Sequence, residues 1–309
     1  MNFDHLAQIK HRVWEGTINV RVVLEYTPNV SSESSSGSPS PSGADTESLL
    51  SVKEFLISVY RNSYVPTFLP LLVEYFSVYV EGLATIPVWL EYDETPLKWN
   101  LPVGVLYDTL TLPETNRRED SNIWTLHLRF KDQYPKTTII PFIYTVTDDD
   151  NDSSVIDYAK SLHELMVNQL KQSCFVMNGT AKPMLNLSKE DSTKLWESIE
   201  NHNLAHYNQV NKRICPLDTS LLLRVPVKVY IPGLGQTIQH PVSPFNVNGT
   251  PSTLRNVIEA NIPQLNQVPD KKLTALIHGI IVDDMLDTPV IQFWDLFKYM
   301  DNFLHIVVF

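Results

Sequence analysis

The hydrophobic period of this chain switches twice. Near the N-terminus apolar residues recur at every second position; between 148 and 216 they recur at helical spacing; after Pro216 the alternation returns. Such a pattern predicts an α+β protein in which a helix-rich region lies between two sheet-bearing ones. At 309 residues the chain exceeds what one hydrophobic core usually serves, so two or three domains are expected.

Phe3, Leu6, Ile9 and Val13 approximate one helical stripe, predicting a short N-terminal helix over 1–14. The first sheet-bearing domain is expected over 15–147. Ile18, Val20, Val22 and Leu24 alternate with Asn19 and Arg21 as a half-buried strand. The Ser/Pro/Gly-rich run at about 28–48 has too little apolar surface to offset its ordering entropy and reads as a disordered insert. A strand over Glu54 to Arg61 follows, then a buried helix within Val65 to Val80 that Pro70 should break or kink. Val88 to Tyr92 is a strand, Thr95-Pro96 a turn, and Pro102 opens a short helix over Val103 to Leu110. Ile123 to Phe130 alternates as the closing strand. Strand, strand, helix, strand, helix, strand is the succession of a ubiquitin-like β-grasp, which lays one long helix across a mixed sheet.

A helix-rich domain is expected over 148–216. Asp148, Asp150 and Asp152 have the alternation of a calcium loop, but Ser153 stands where the turn needs glycine and Ala159 where the bidentate glutamate belongs, so calcium is rejected. Val155, Ala159, Leu162, Met166 and Leu170 mark one helix, and a second is expected from Lys189 to about Arg213. His202 and His206 have a metal-binding spacing, yet Asn203 occupies the place of a metalloprotease base and no third ligand is evident. Over 217–309 the first domain's order repeats. Alternation from Leu223 to Ile231 predicts a strand in which Pro226 demands an edge or bulge. Then follow a short strand over Thr237 to His240, a helix over Ser252 to Ala260, a strand over Leu273 to His278, a helix near Val290 to Met300, and a strand over Phe303 to Phe309. Two β-grasp domains flanking a helix-rich one is therefore the expected architecture.

Composition narrows the function. A net charge of −11 offers no broad basic surface, and no nucleic-acid motif appears. No run approaches the ~20 apolar residues of a spanning helix, and the N-terminal stretch lacks the apolar core of a signal peptide, so a cytoplasmic protein is expected. Gly233-Leu234-Gly235 is too short for a dinucleotide fingerprint, no nucleophile elbow is present, and neither a cofactor nor a metal is expected. Cys174 and Cys215 form no disulfide framework; a cysteine-dependent acyl-transferase remains the enzymatic alternative. Lys182 stands apart. Asn178-Gly179 precedes it and Pro183 follows, while Ser188 caps the next helix with Glu190 and Asp191 in its first turn, so its ammonium should sit on a short exposed connector between two helices. Such a lysine is accessible and positioned; the bland alternative is a solvated loop lysine.

The block PVWLEYDETPLKWNLPVGVLYD, Pro87 to Asp108, resembles the autophagy protein 5 family, and its Trp-Asn-x-Pro-x-Gly segment, Trp99 to Gly104, is the specific part. VWEGTINV at Val13 to Val20, IHGI at Ile277 to Ile280 and DNFLHI at Asp301 to Ile306 also fit. The resemblance implies two ubiquitin-like domains around a helical one. It implies a non-catalytic scaffold joined through a lysine isopeptide bond to the ubiquitin-like autophagy protein 12 by dedicated conjugating enzymes. The position matching the family's acceptor is Lys182; Lys171, Lys189 and Lys194 fit the spacing less well. It further implies a groove for an N-terminal helix of autophagy protein 16, for which Trp99, Pro102 and Gly104 are candidates. The conjugate would promote lipidation of autophagy protein 8 with phosphatidylethanolamine in a ligase-like way, peripherally at the preautophagosomal membrane. The chain ends at LHIVVF without a glycine tail, so it is expected to accept a modifier rather than to be one. An unmodified structural adaptor is the third reading.

Overall fold

The computed structural model describes residues 3–28, 50–112, 123–130, 133–148, 153–216, 218–262 and 274–309. The insert expected at 28–48 falls almost wholly outside the described residues, as do Asp150, Asp152 and Leu273. Helix α1 (Phe3–Trp14) leads into β1 (Thr17–Tyr26), which pairs antiparallel with β2 (Ser51–Tyr60) and parallel with β5 (Ile123–Arg129). On the far side of β5 lie β3 (Trp89–Tyr92) and β4 (Thr95–Pro96), giving the order β2-β1-β5-β3-β4. Alternation explains the layer: Val20, Val22 and Leu24 of β1 and Trp124, Leu126 and Leu128 of β5 share one face and bury it. Against that face packs α2 (Leu69–Phe76), through Leu69, Leu72, Val73 and Phe76.

Two expectations here need correction. Pro70 does not break the helix; it sits in the first turn of α2, where its missing N–H costs nothing, and a separate 3-10 turn, Val65–Thr67, precedes it. Thr95-Pro96 is not the turn but the return strand. The turn is Asp93-Glu94, with φ of 47° and 60°, the left-handed pair of a two-residue hairpin.

The C-terminal sheet contains β8 (Val227–Tyr230), β9 (Thr237–Ile238), β10 (Ala275–Ile277), β11 (Ile280–Ile281) and β12 (Leu304–Val308) in the order β11-β10-β12-β8-β9. Read from the other edge, its second, first, fifth, third and fourth strands follow one another, the same order as in the first sheet, and again the first and fifth are parallel. Even the hairpin recurs, with His278 and Gly279 at φ of 53° and 75° between β10 and β11. Two ubiquitin-like domains are therefore present. Strand β8 begins only at Val227, because Pro226 has no N–H for the ladder and Val225 makes just an isolated bridge to Val242. Helix α8 (Leu254–Asn261) starts at a capping box of Thr253 and Asn256, and α9 (Val290–Phe297) stops short of Met300 where Lys298 turns extended.

The connecting region differs most from expectation. β6 (Thr145–Asp148) and β7 (Ser153–Ile156) form a hairpin, so Val155 belongs to a strand and not to the helical stripe. Helix α4 (Tyr158–Asn178) buries Tyr158, Leu162, Met166 and Leu170 and exposes Ala159. The long helix expected from Lys189 is two: α6 (Lys189–Glu200) and α7 (Leu204–Asn211). His202 breaks them apart with φ of 52°, and the Asn203 side chain accepts from the His206 N–H to restart the helix.

The two β-grasp domains meet at Arg61. Its backbone carbonyl accepts from the Gly104 N–H at 2.8 Å, and its guanidinium pairs with buried Asp108. A Cβ on Gly104 would stand 2.9 Å from the Arg61 carbonyl, and one on Gly279 would stand 2.6 Å from the Arg61 guanidinium. The Arg61 backbone thus demands glycine at 104, while at 279 the φ of 75° demands it and the guanidinium fills the space a side chain would take. Beside it, the Asn62 side chain accepts from the Met300 N–H at 3.0 Å, and Val105 packs with Tyr230, Leu276, Tyr299 and Val307.

Candidate functional site: a lysine-bearing connector and a three-sided cleft

Helix α4 ends because Gly179 adopts φ of 69° and its N–H closes on the Phe175 carbonyl at 2.8 Å. The chain then makes one turn of helix, α5 (Lys182–Leu185), before Ser188 caps α6 by accepting from the Asp191 N–H at 3.0 Å. Lys182 opens that turn and is exposed. What lies beneath it is fixed. Met184 and Leu187 pack on the main core, and the Asn178 amide donates to the Cys174 and Ile214 carbonyls at 3.0 and 3.1 Å, tying the end of α4 to the segment after α7. Asp191 pairs with Arg213, which holds α6 to the same segment. The Lys182 N–H itself donates to the Thr180 hydroxyl at 3.2 Å. The ammonium therefore projects to solvent from a backbone anchored on both sides. The other lysines differ: Lys171 and Lys194 are half-buried on helix faces, and Lys189 is exposed at the first position of a regular helix.

The groove residues named from the sequence lie elsewhere. Trp99 is 5% exposed, donates to the Ile140 carbonyl at 2.7 Å and stacks on Phe142 at 4.9 Å. Pro102 is buried at the start of α3 (Val103–Thr111), and Gly104 is closed over by Arg61. Each holds the first domain together and offers no surface to a partner, because a large aromatic beside proline serves a core as well as a contact. An apolar concavity that reaches solvent is a cleft of about 500 Å³ between α1 and α9, lined by Leu6, Met285, Ile291, Leu296 and Phe297. It continues past Lys10 and Asp295 to Leu204 and Asn208 of α7 and Asn62, so the N-terminal helix and all three domains border it. No sequence pattern marked it, since its walls come from opposite ends of the chain; the half-buried Ile291 and Leu296, apolar residues beside exposed Gln292 on α9, are the one local signal.

Family models match three stretches: "Autophagy protein ATG5, UblA domain" over residues 13–130, "alpha-helical bundle region" over 159–217 and "UblB domain" over 224–308. Among curated relatives, autophagy protein 5 of Debaryomyces hansenii is 44% identical over 99% of this chain and 96% of its own, and that of Scheffersomyces stipitis is 41% identical over 98% and 97%. The chain belongs to the autophagy protein 5 family. Membership carries with it a role in autophagy. The crystal structure of Kluyveromyces marxianus Atg5 has the same fold, with a TM-score of 0.71 at 23% identity over 98% of this chain and 100% of that one.

Within this family member the two thiols are poor nucleophiles. Cys174 is fully buried, burial raises its pKa, and its sulfur lies 3.5 Å from the Thr180 carbonyl. Burial pushes Cys215 up to about 11, and its partner is the Asn302 side chain at 3.7 Å. Burial thus favours the protonated form of both thiols, and among the described residues neither has an imidazole as a hydrogen-bonding partner. His202 is likewise structural: its ring stacks on Tyr60 at 3.6 Å and its Nε2 donates to the Trp14 carbonyl at 2.8 Å. His206 is exposed, and no metal-binding group of three is found among the described residues. Among those residues no helix is long and apolar enough to cross a membrane.

Proposed function

We propose that this chain is the non-catalytic acceptor and scaffold of a ubiquitin-like conjugation, with Lys182 joined by an isopeptide bond to the C-terminal glycine of autophagy protein 12. The observation that carries this reading is the exposed Lys182 side chain on a connector whose backbone is anchored at Asn178, Met184 and Leu187. A conjugating enzyme presents the modifier as a thioester. The Lys182 ammonium loses a proton to solvent or an enzyme base, Nζ attacks the carbonyl carbon, the new C–N bond forms as the C–S bond breaks, the nitrogen gives up a second proton to become the amide, and the enzyme's cysteine leaves as thiolate. This chain supplies position, and the activation belongs to the enzyme. A fixed backbone limits the freedom lost when the amine enters that enzyme's site.

The cleft between α1 and α9 suits the amphipathic helix of autophagy protein 16, because an apolar strip with charged Lys10 and Asp295 at its border accepts such a face. The resulting complex would promote transfer of autophagy protein 8 to phosphatidylethanolamine, working peripherally at the preautophagosomal membrane.

Co-expression with the modifier and its conjugating enzymes tests the acceptor. Lys182→Arg is expected to abolish the adduct in intact-mass spectra while leaving the melting curve unchanged, and Lys189→Arg should retain it; an adduct that survives in the first variant overturns the assignment. Leu296→Asp should weaken capture of the partner helix at least tenfold, since burying one leucine is worth ~1.5–3 kcal/mol, without affecting the adduct. Equal binding by the variant, read by calorimetry, would move the helix to another face.

A further inference from the structure

Strand β2 is an outermost strand, ten residues long, and among the described residues it pairs with β1 alone. Its hydrogen-bonding phase follows from one contact. The Arg61 N–H donates to the Gly16 carbonyl at 2.8 Å, and these two residues continue the register that sets Tyr60 opposite Thr17. Bonded pairs alternate in an antiparallel ladder, so Lys53, Phe55, Ile57 and Val59 direct their amides to β1. Val52, Glu54, Leu56 and Ser58 then point theirs outward. The 3.4 Å bond from the Tyr75 hydroxyl to the Glu54 carbonyl, on the side away from β1, agrees with this phase.

This edge is only lightly blunted: it carries no proline and is ten residues long, and what guards it is the pair Lys53 and Glu54 and the Tyr75 hydroxyl at 3.4 Å from the Glu54 carbonyl. On the face of the strand away from α2, Val52 and Leu56 are 51% and 66% exposed. Along its other flank runs α2, whose Leu71 and Tyr75 lie four residues apart and so share a stripe; Tyr75 touches Phe55 at 4.8 Å and Leu71 is 46% exposed. Beyond Ile57 the trough ends in a cavity of about 190 Å³ between Phe68 and Ile199, large enough for one branched side chain. Three exposed carboxylates, Glu54, Glu74 and Glu200, border this course; among the described residues Arg21 of β1 reaches Glu54 at 3.8 Å with both side chains still largely open, and Lys53 is held over the Tyr79 ring at 4.9 Å.

We propose that the open edge of β2 is a docking site for an extended segment of a partner protein, added as a sixth strand, with apolar side chains turned toward α2 and basic ones toward Glu54. The outward amides dictate an extended backbone. Leu71, Tyr75 and the terminal cavity dictate apolar residues at every second position, and Glu54, on the opposite face, favours basic ones between them. This site is separate from Lys182 and from the α1–α9 cleft.

The test uses the full chain and a blocked peptide, acetyl-Lys-Ile-Lys-Ile-Lys-Ile-Lys-amide, followed by amide hydrogen exchange. The expected result is slowed exchange at Val52, Glu54, Leu56 and Ser58 with Lys53, Phe55 and Ile57 unchanged, an alternation that mere surface adsorption does not produce. Leu56→Pro, which removes an outward donor and no β1 bond, should abolish the effect, and Glu54→Lys should weaken binding at least tenfold. Should the proline variant fail to fold, the charge variant and the alternation in the unaltered chain still decide the matter. A peptide that slows no amide, or slows others, overturns the proposal. So does slowing of the same amides without peptide that grows with protein concentration, which would assign the edge to a second copy of this chain.

Discussion

Replacing Arg61 by alanine is expected to cost the folded chain about 3–5 kcal/mol, the penalty for leaving a buried charge without its partner. Asp108 is buried on α3, and Arg61, its ion-pair partner within the first domain, is the residue that faces Gly279 of the second domain across the seam. Burial already raises the Asp108 pKa, with the Arg61 charge opposing. Without the guanidinium the carboxyl must stay charged in a poor environment or take up a proton. The deficit in urea midpoint should therefore be larger at pH 8 than at pH 5. The double variant Arg61→Met, Asp108→Leu should recover most of the loss, because two apolar side chains of similar size leave no charge to desolvate. A single alanine variant as stable as the parent would show that this seam contributes little to holding the β-grasp domains together.

Acid should destabilise the chain well before its carboxylates titrate. His278 is buried in the β10–β11 turn, stacks on Tyr299 at 3.8 Å and donates from Nε2 to the Phe297 carbonyl at 2.9 Å, while its Nδ1 has no partner. Burial lowers its pKa to about 3, against the Phe297 hydrogen bond, and Arg61 and His305 push in the same direction as burial. The unfolded imidazole titrates near ~6.5. Below that pH the unfolded chain binds a proton that the folded chain refuses, so the stabilisation is complete above about 6.5 and is lost as pH falls toward 3, at ~1.4 kcal/mol per unit. His305 and His202 are also lowered by burial and add loss of the same sign. Asp301 acts later. Burial alone would raise it, but His305, Lys228 and the Phe303 N–H hold it at about 2, so its stabilisation is present above the ordinary carboxylate range and disappears only in strong acid. His278→Gln should remove about one proton from the slope of unfolding free energy between pH 6 and 4.5, whatever it does to the stability at pH 7. An unchanged slope would mean that the imidazole titrates freely in the fold.

Local patterns carried the architecture because burial in a β-grasp is periodic. Val20, Val22 and Leu24 alternate in sequence and line one face in space, and the two domains repeat one strand order although their residues differ. The Lys182 connector was legible for the same reason: Gly179 and Ser188 are local stop and start signals, and both behave as such. What escaped were features decided by distant partners. Trp99 and Pro102 look like contact residues until Ile140, Phe142 and Tyr64 are brought against them. The 189–213 stretch looks like one helix because nothing near His202 in sequence demands a break; Tyr60 and Trp14, far along the chain, hold its ring. The α1–α9 cleft and the Arg61 seam are assembled from distant segments, and no window of residues could contain them.

Whether Lys182 accepts a ubiquitin-like modifier is the central question, and mapping any branched peptide in a tryptic digest of the chain, purified with the modifier and its enzymes present, reads it directly. The predicted result is a modifier remnant on Lys182 alone, in the peptide that spans the uncut Lys182-Pro183 bond. A remnant on Lys171, Lys189 or Lys194, or a purified chain that carries none when the modifier and its enzymes are present, would contradict it.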